Sequence, residues 1–468
     1  MSNKLNFIGL DTTYPTANGE NRQRVHLDGA ASPLACVAGV NAAQTLLPHY
    51  SNSHSYVHNS AQISTQALAW ARQQILASLG ADSDVYTVIF TGSGCTAAIN
   101  RIARGLAISR PKKRTILVSS MEHHANDLPH RQHDNNVIYL PLTGAGQKMG
   151  SIDIDAFEQL CKTHSETLNY VAVSSVSNVT GLRNPIRQIT EIAHRYGALV
   201  LVDAAQSVAH SSSNLSAGSV EQNADFFVFS GHKVYTPIAP GVLIAKKDLL
   251  LTMSGQDMGG GSVDTVSFEH FELSKELPHK DESGTTNIVG AYSLARVFEA
   301  LSDYGFDKIQ QHGEELLKQL YEGLNAIEGI RIYGDPAAPR LSAMAFNHKD
   351  IDHGLLAAIL NDYYSIAVRN ECFCAHPYVS SLLKRELWEL DLEGIEKNKQ
   401  EAFINRKRGM VRASISLYNV QADIQSLINA VADIADNLDK YKDHYRALDD
   451  GSYHHLEFKL DWQASLDS

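Results

Sequence analysis

Seven short runs rich in β-branched and aromatic residues recur along the first half of the chain. They are "VYTVIF" (85–90), "RTILVSS" (114–120), "VIYLPL" (137–142), "YVAVSSVSN" (170–178), "ALVLVDAA" (198–205), "FFVFSG" (226–231) and "GVLIAK" (241–246). Most are apolar nearly throughout, the pattern of strands buried on both faces. Stretches of helical periodicity separate several of them, at 95–108, 153–163 and 185–195. Apolar strands joined by helices predict a mostly parallel seven-stranded sheet covered on both sides, an α/β architecture.

After about residue 290 the pattern changes. "AYSLARVFEALSDYG" and "IQQHGEELLKQLYEGLNAI" read as long amphipathic helices. Then come "IRIYG", "LSAMAFN", a short helix, "SIAVRN", "MVRASISL" and a helix near 421–437. This is the pattern of a smaller α+β domain. The expected organisation is an N-terminal segment (1–59) packing with the small domain, a large domain (60–294), a small domain (295–445) and a tail (446–468) with no readable element. The stretch 384–409 is densely charged and reads as a solvated insertion.

Hydrophobic residues make up 44% of the 468 and charged residues 20%, ordinary for a globular enzyme. The net charge of −12 argues against a general nucleic-acid binder, which needs a basic face. No apolar run approaches the ~18 residues of a membrane span. The start "MSNKLNFIGLDTTYPT" lacks a leader's apolar core, so a cytoplasmic location is expected. The five cysteines form no zinc or disulfide pattern, so free thiols and no metal are expected.

Ligands of open α/β sheets bind beyond the C-terminal ends of the strands. After the first run, "TGSGCTAAIN" makes a turn at Gly92 and Gly94 and opens a helix at Cys95 and Thr96. Its N–H groups and the Thr96 hydroxyl suit an anion such as phosphate, although such turns also occur without a ligand. "MEHHANDLPHR" follows the second run; His123 is either a surface residue or a flat ring for stacking on a planar ligand. Asn178 ends the fourth run, and Asp203 and Gln206 end the fifth. Asp203 is either a helix cap or a buried anion facing a cationic ring nitrogen. "DFFVFSGHKVYTP" then ends a buried strand in Ser230, Gly231, His232 and Lys233. A lysine in that place either reaches water or is used.

Together these groups describe one ligand. Thr96, Ser230 and His232 form an anion cradle, His123 stacks, Asp203 supplies a carboxylate, Asn178 and Gln206 are polar donors, and Lys233 is a nucleophilic amine. Pyridoxal 5′-phosphate has matching needs: a phosphate, a flat ring with a pyridinium nitrogen, a phenolic oxygen, and an aldehyde that condenses with lysine. Lys233 is therefore expected to hold the cofactor.

The chain also resembles the class V aminotransferase-fold enzymes, and within them the cysteine desulfurases and selenocysteine lyases. "LDGAAS", "HNSAQIST", "MEHHAN", "VSNVTG", "VDAAQS", "FSGHK", "ESGTTN", "VRNECFCAHP" and "RASISLYN" carry the resemblance, in family order over residues ~26–420. It implies the type I fold of pyridoxal-phosphate-dependent transferases. It also implies a homodimer with shared active sites, in which Thr285 reaches the phosphate bound by the partner subunit. It places Arg412 and Arg369 on the substrate, His58 near it, His123 among the catalytic groups, and the catalytic cysteine at Cys374.

The implied reaction converts cysteine to alanine. Lys233 removes the α-proton, Asp203 keeps the ring nitrogen protonated, and Cys374 takes sulfur as a persulfide for an acceptor protein. Selenocysteine is the related substrate.

The chain departs from the family pattern around the substrate. Cys372 and Phe373 stand where histidines are common, and Glu371 stands where glycine is usual. Cys95 replaces a hydroxyl residue, and 38 positions separate Cys374 from Arg412. These changes admit an alternative: a C–S lyase, epimerase or aminotransferase of the same fold with Cys374 incidental. A relic binding protein would require loss of Lys233 or Asp203, and both are present.

Overall fold

The computed structural model describes residues 5–53, 55–219, 222–253, 257–388, 390, 400, 403–404, 407–448 and 451–467. The first part of the chain holds β1 (Val25–His26), α1 (Val37–Leu46), α2 (Asn59–Ser78), β2 (Tyr86–Thr91), α3 (Gly94–Ser109), β3 (Thr115–Ser119) and β4 (Asn136–Leu140). Then come α4 (Ile154–Thr163), β5 (Leu168–Ser174), α5 (Ile186–Arg195), β6 (Leu199–Asp203), β7 (Phe226–Ser230) and β8 (Gly241–Lys246). Beyond these lie α6 (Ile288–Tyr304), α7 (Phe306–Asn325), β9 (Ile330–Ile332), β10 (Ala343–His348) and α8 (His353–Tyr364). The last elements used below are β11 (Ile366–Ala367), β12 (Arg369–Glu371), β13 (Met410–Ser414), α9 (Gln421–Asp436), β14 (Tyr445–Ala447) and β15 (Tyr453–His455).

All seven apolar runs become strands of one sheet, in the order β2-β8-β7-β6-β5-β3-β4. β8 alone runs against the others, pairing antiparallel with β2 and β7. The reason lies in the link from Ser230 to Gly241, too short for the crossover of a dozen or more residues that a parallel return requires. Lys233 sits on that short link. Side chains of the central strands alternate between two cores. Val171, Val173 and Val200 face the core shared with α4 and α5, through Phe157 and Ile189. Tyr170, Ala172 and Leu201 face the core shared with α3, through Ile99 and Ile102. Each fully buried aliphatic or aromatic side chain contributes roughly 1.5–3 kcal/mol. This is the expected α/β fold.

A third core gathers Leu320, Phe346, Leu356, Val411 and Leu427 around an antiparallel sheet ordered β9-β10-β13-β12. "SIAVRN" splits rather than forming one strand. β11 pairs in parallel with β1, and β12 pairs antiparallel with β13. The N-terminal segment serves both bodies: Leu27 lies in the small core, while Cys36 and Leu46 lie in the large one. Position 294/295 falls inside α6, whose Leu294, Phe298 and Leu301 all belong to the large core. We propose that the bodies divide at Gly305, between α6 and α7.

The tail departs from its featureless pattern. β14 and β15 form a hairpin on α8, where the Tyr445 hydroxyl donates to Asp362 (3.0 Å) and Tyr363 meets His455 (3.1 Å). Strands of three residues leave too little periodicity to read. Of the charged stretch 384–409, Lys384–Trp388 is helical and 407–409 lead into β13. Most of the rest lies outside the described residues.

A buried carboxylate fixes the entry to β7. Asp225 accepts from the Val200 amide (2.8 Å), Lys246 Nζ (2.7 Å) and His194 (2.8 Å). Burial alone would raise its pKa, but these partners more than offset that, and the pKa is lowered. Asp225→Ala is expected to destabilise the fold by about 3 kcal/mol at pH 7, because it removes the carboxylate partner of the partly buried Lys246 and of the Val200 amide. Since the folded pKa is the lower one, the carboxylate's contribution is complete above about 3.9 and is lost as pH falls through the folded value. Urea denaturation of both proteins across that range should show the gap narrowing. A gap that stays constant would refute the charge-based account.

Candidate active site

A cavity of about 490 Å³ opens beyond the C-terminal ends of the large sheet. Cys95, Thr96, His123, Asn178, Asp203, Gln206, Ser230, His232 and Lys233 line it from the large body. Arg369, Cys374 and Arg412 line it from the small one. Two expected residues stand elsewhere in the single chain. His58 is exposed and caps α2, its Nδ1 accepting from the Ala61 amide (3.3 Å). Thr285 is exposed and lines a neighbouring cavity with Gly92, Arg101 and Asp281.

The local folding of each wall follows from its strand. β7 ends at Ser230, and Gly231–Lys233 make one tight 3-10 turn that turns Lys233 into the cavity. Burial lowers the Lys233 pKa against the pull of Asp203. Asp203, the last residue of β6, is 5% exposed, and the Ala205 amide donates to it (2.9 Å). Burial raises the Asp203 pKa, partly countered by that bond and by Lys233. At the start of α3 the Cys95 amide donates to Ser230 Oγ (2.9 Å). Gly94 (φ +60°) has no side chain there, and a Cβ would come within 2.6 Å of that oxygen. The Cys95 thiol is buried and pushed up to about 12 by desolvation, so it is no nucleophile.

His123 Nδ1 accepts from the Ala125 amide (3.0 Å). Burial, with Lys233 nearby, lowers its pKa to about 4. The ring is therefore neutral near pH 7, with its proton on Nε2. Asn178 and Gln206 line the cavity and also donate within the chain. Asn178 Nδ2 donates to the Phe373 carbonyl (2.7 Å), and Gln206 Nε2 donates to the Ala30 carbonyl (2.8 Å). They tie the Cys374 loop and the N-terminal segment to the cavity wall.

The Cys374 loop carries positive φ at three non-glycine residues: Glu371 (89°), Phe373 (52°) and Cys374 (55°). Such conformations cost about 1–3 kcal/mol each and persist only where surroundings hold them. Here the His124 amide donates to the Cys374 carbonyl (2.7 Å), and the Phe373 ring lies 4.8 Å from the Arg412 guanidinium. The left-handed residues break the alternation of an extended loop, so the two thiols do not share a face. Cys374 is exposed and lines the cavity. Cys372 is buried, donates to the Arg408 carbonyl (3.3 Å) and is pushed up to about 11 by burial.

Arg412 is 3% exposed. Nη1 donates to the Asn178 carbonyl (2.8 Å) and Nη2 to Asp28 (3.0 Å), while buried Nε has no partner among the described residues. Sequence reasoning missed Asp28 because it follows no central strand. It also missed Glu122, which accepts from the Ser174 amide (2.8 Å) and from Asn126 (2.7 Å) behind His123. Burial pushes Glu122 up to about 7. A carboxylate beside two histidines after an apolar strand was the available signal.

A strand-end lysine facing a buried aspartate, on a sheet of this topology, defines the type I fold of pyridoxal-phosphate-dependent transferases. Residues 25–427 match the aminotransferase class-V family, and the chain belongs to that family. It is 36% identical to a probable cysteine desulfurase of Halalkalibacterium halodurans, covering 90% of this chain and 94% of the relative. A probable cysteine desulfurase of Vibrio cholerae is 33% identical over 88% and 94% of the two chains. Among solved structures, the apo cysteine desulfurase of Thermococcus onnurineus superposes with a TM-score of 0.75 at 28% identity, covering 88% of this chain and 94% of that one. The cysteine desulfurase CsdA of Escherichia coli, in its S-sulfonic acid form, gives 0.72 at 30% identity over 88% and 95%.

Proposed function

We propose that the protein is a pyridoxal-phosphate-dependent cysteine desulfurase. The observation that carries this is the convergence, in one cavity, of Lys233 and Asp203 from the large body with Cys374 and Arg412 from the small one. The residues fit the cofactor. The cradle beside Gly94 that a Cβ would fill is rimmed by Thr96, Ser230 and His232, which suit its phosphate. His123 suits the ring face, Asp203 the ring nitrogen, Asn178 and Gln206 the polar edge, and Lys233 the aldehyde carbon. When bound, the cofactor supplies an electron sink that loosens bonds to the α-carbon of an amino acid.

The chain's own groups do the remaining work. Arg412 and Arg369, which both line the cavity, take the substrate carboxylate. Lys233, with its lowered pKa, accepts the α-proton at Nζ. His123 holds a proton at Nε2 for exchange with the substrate. The Cys374 thiolate attacks the substrate sulfur, so an S–S bond forms as the C–S bond breaks and the carbon chain leaves as alanine after protonation. The persulfide then passes to an acceptor. We place the enzyme in the cytoplasm as a homodimer, with Thr285 and His58 serving the cavity of a second copy. Light scattering should give twice the chain mass.

The deciding experiment incubates purified holoenzyme with a panel of amino acids. With dithiothreitol present to reduce the persulfide, cysteine should give sulfide and alanine in equal amounts. Sulfide with pyruvate would replace the proposal with a C–S lyase. Asp203→Asn is expected to keep the cofactor bound and lower kcat by about 10²-fold, equivalent to about 2.7 kcal/mol of transition-state stabilisation. Wild-type turnover in that variant would remove Asp203 from the ring nitrogen.

A further inference from the structure

The C-terminal hairpin lies beyond residues 25–427 of the family match, yet it touches the elements behind the Cys374 loop. The Tyr453 hydroxyl of β15 donates to Asp352 Oδ2 (2.5 Å) at the head of α8. The other oxygen of Asp352 is paired with Lys407 Nζ. Burial would raise the Asp352 pKa, but bonds from Lys407 and Tyr453 more than offset that and lower it, so the carboxylate is charged. The next residue, Arg408, offers its carbonyl to the Cys372 thiol (3.3 Å). Gly409 offers its carbonyl to Asn347 Nδ2 (2.9 Å), and β13 starts immediately after it. β13 in turn pairs with β12, Glu371 opposite Met410, and Cys374 follows three residues on.

The seat is built for the hairpin. Gly354, in the first turn of α8, carries no side chain, and a Cβ there would run into the Gly451 carbonyl and the Tyr453 ring. The Cys374 loop needs outside support, since three of its residues hold unfavourable backbone conformations. Cys372 is buried, faces away from the cavity and has a raised pKa, which suits an anchor and not a second sulfur carrier.

We propose that the C-terminal hairpin is a clasp for the Cys374 loop, acting through Tyr453, Asp352, Lys407, the Arg408 carbonyl and Cys372. These are positioning residues. They set where the Cys374 thiol stands without touching substrate. The catalytic consequence rests on Cys374 being the sulfur acceptor; the physical linkage does not.

Hydrogen exchange on the full-length holoenzyme tests it, with Tyr453→Phe, Cys372→Ala and Cys372→Ser made side by side. Tyr453→Phe removes one hydroxyl and Cys372→Ala one donor, each a loss near the net worth of a single hydrogen bond. Amides of residues 371–376 should exchange about tenfold faster in both, the change produced by about 1.4 kcal/mol of local stability. Cys372→Ser keeps a donor for the Arg408 carbonyl and should restore slow exchange. Amides of β5 and β6 should not change. Unaltered exchange at 371–376 in Tyr453→Phe overturns the clasp, whatever Cys372→Ala does. Desulfurase kcat should fall with KM for cysteine unchanged. Faster loop exchange with unchanged turnover would leave the linkage standing and count against Cys374 as the acceptor.

Discussion

Lys233→Ala is expected to yield a folded protein with no measurable turnover and no cofactor that borohydride can fix to the chain. The fold survives because the Lys233 side chain makes none of the hydrogen bonds holding β7, and because Asp203 keeps its bond from the Ala205 amide. The chemistry does not survive because no other lysine lines the cavity among the described residues. A positioned general base contributes about 10²–10⁴-fold. Here the same amine is also the covalent anchor, so the loss should reach the top of that range or exceed it. Peptide mapping after borohydride treatment should find the pyridoxyl label on Lys233 in the wild type and on no residue in the variant. A label that persists on another lysine would move the anchor elsewhere and undo the reading of the whole cavity.

Much of this site was legible because its large-body half hangs on strands whose character is unmistakable. Tyr170–Ser174 and Phe226–Ser230 are buried at every position, so the polar residues just beyond them stand out. The direction of β8 was also within reach, since the short link after Ser230 forbids a parallel return. The small-body half was different. Arg369, Cys374 and Arg412 come from short antiparallel strands and a loop with no periodic signature, and only the family resemblance picked them out. The orientation of Cys372 was hidden because left-handed backbone at Phe373 and Cys374 is set by tertiary contacts from Asn178 and His124. Asp28 was hidden because its meaning appears only when Arg412 arrives from the far end of the chain. His58 and Thr285 lie outside the single-chain cavity, where only a second subunit would give them the roles the resemblance implies.

Cys374→Ala is expected to separate sulfur transfer from everything that precedes it. Lys233, Asp203 and Arg412 are untouched, so cysteine should still bind and still perturb the cofactor's visible absorption. Alanine release and persulfide on the protein should both vanish. The variant should fold normally, because Cys374 is exposed and belongs to none of the cores. Its carbonyl, which takes the His124 amide, is retained.

The geometry also sharpens the companion experiment. Cys372 sits two residues away, but its thiol is buried against the Arg408 carbonyl and held near a pKa of about 11. At pH 7 the thiolate fraction of such a group is about 10⁻⁴, too small to capture sulfur in place of Cys374. Cys372→Ala alone should therefore retain persulfide on Cys374, and the double variant should be no worse than Cys374→Ala. Mass spectrometry of peptides after cysteine treatment reads the added sulfur directly. Should Cys374→Ala turn over an amino acid at the wild-type rate, Cys374 is incidental and the enzyme is a lyase, epimerase or aminotransferase. Should persulfide appear on Cys372 in that variant, the loop must turn over to expose a thiol that the structure buries, and the clasp would have to open during catalysis.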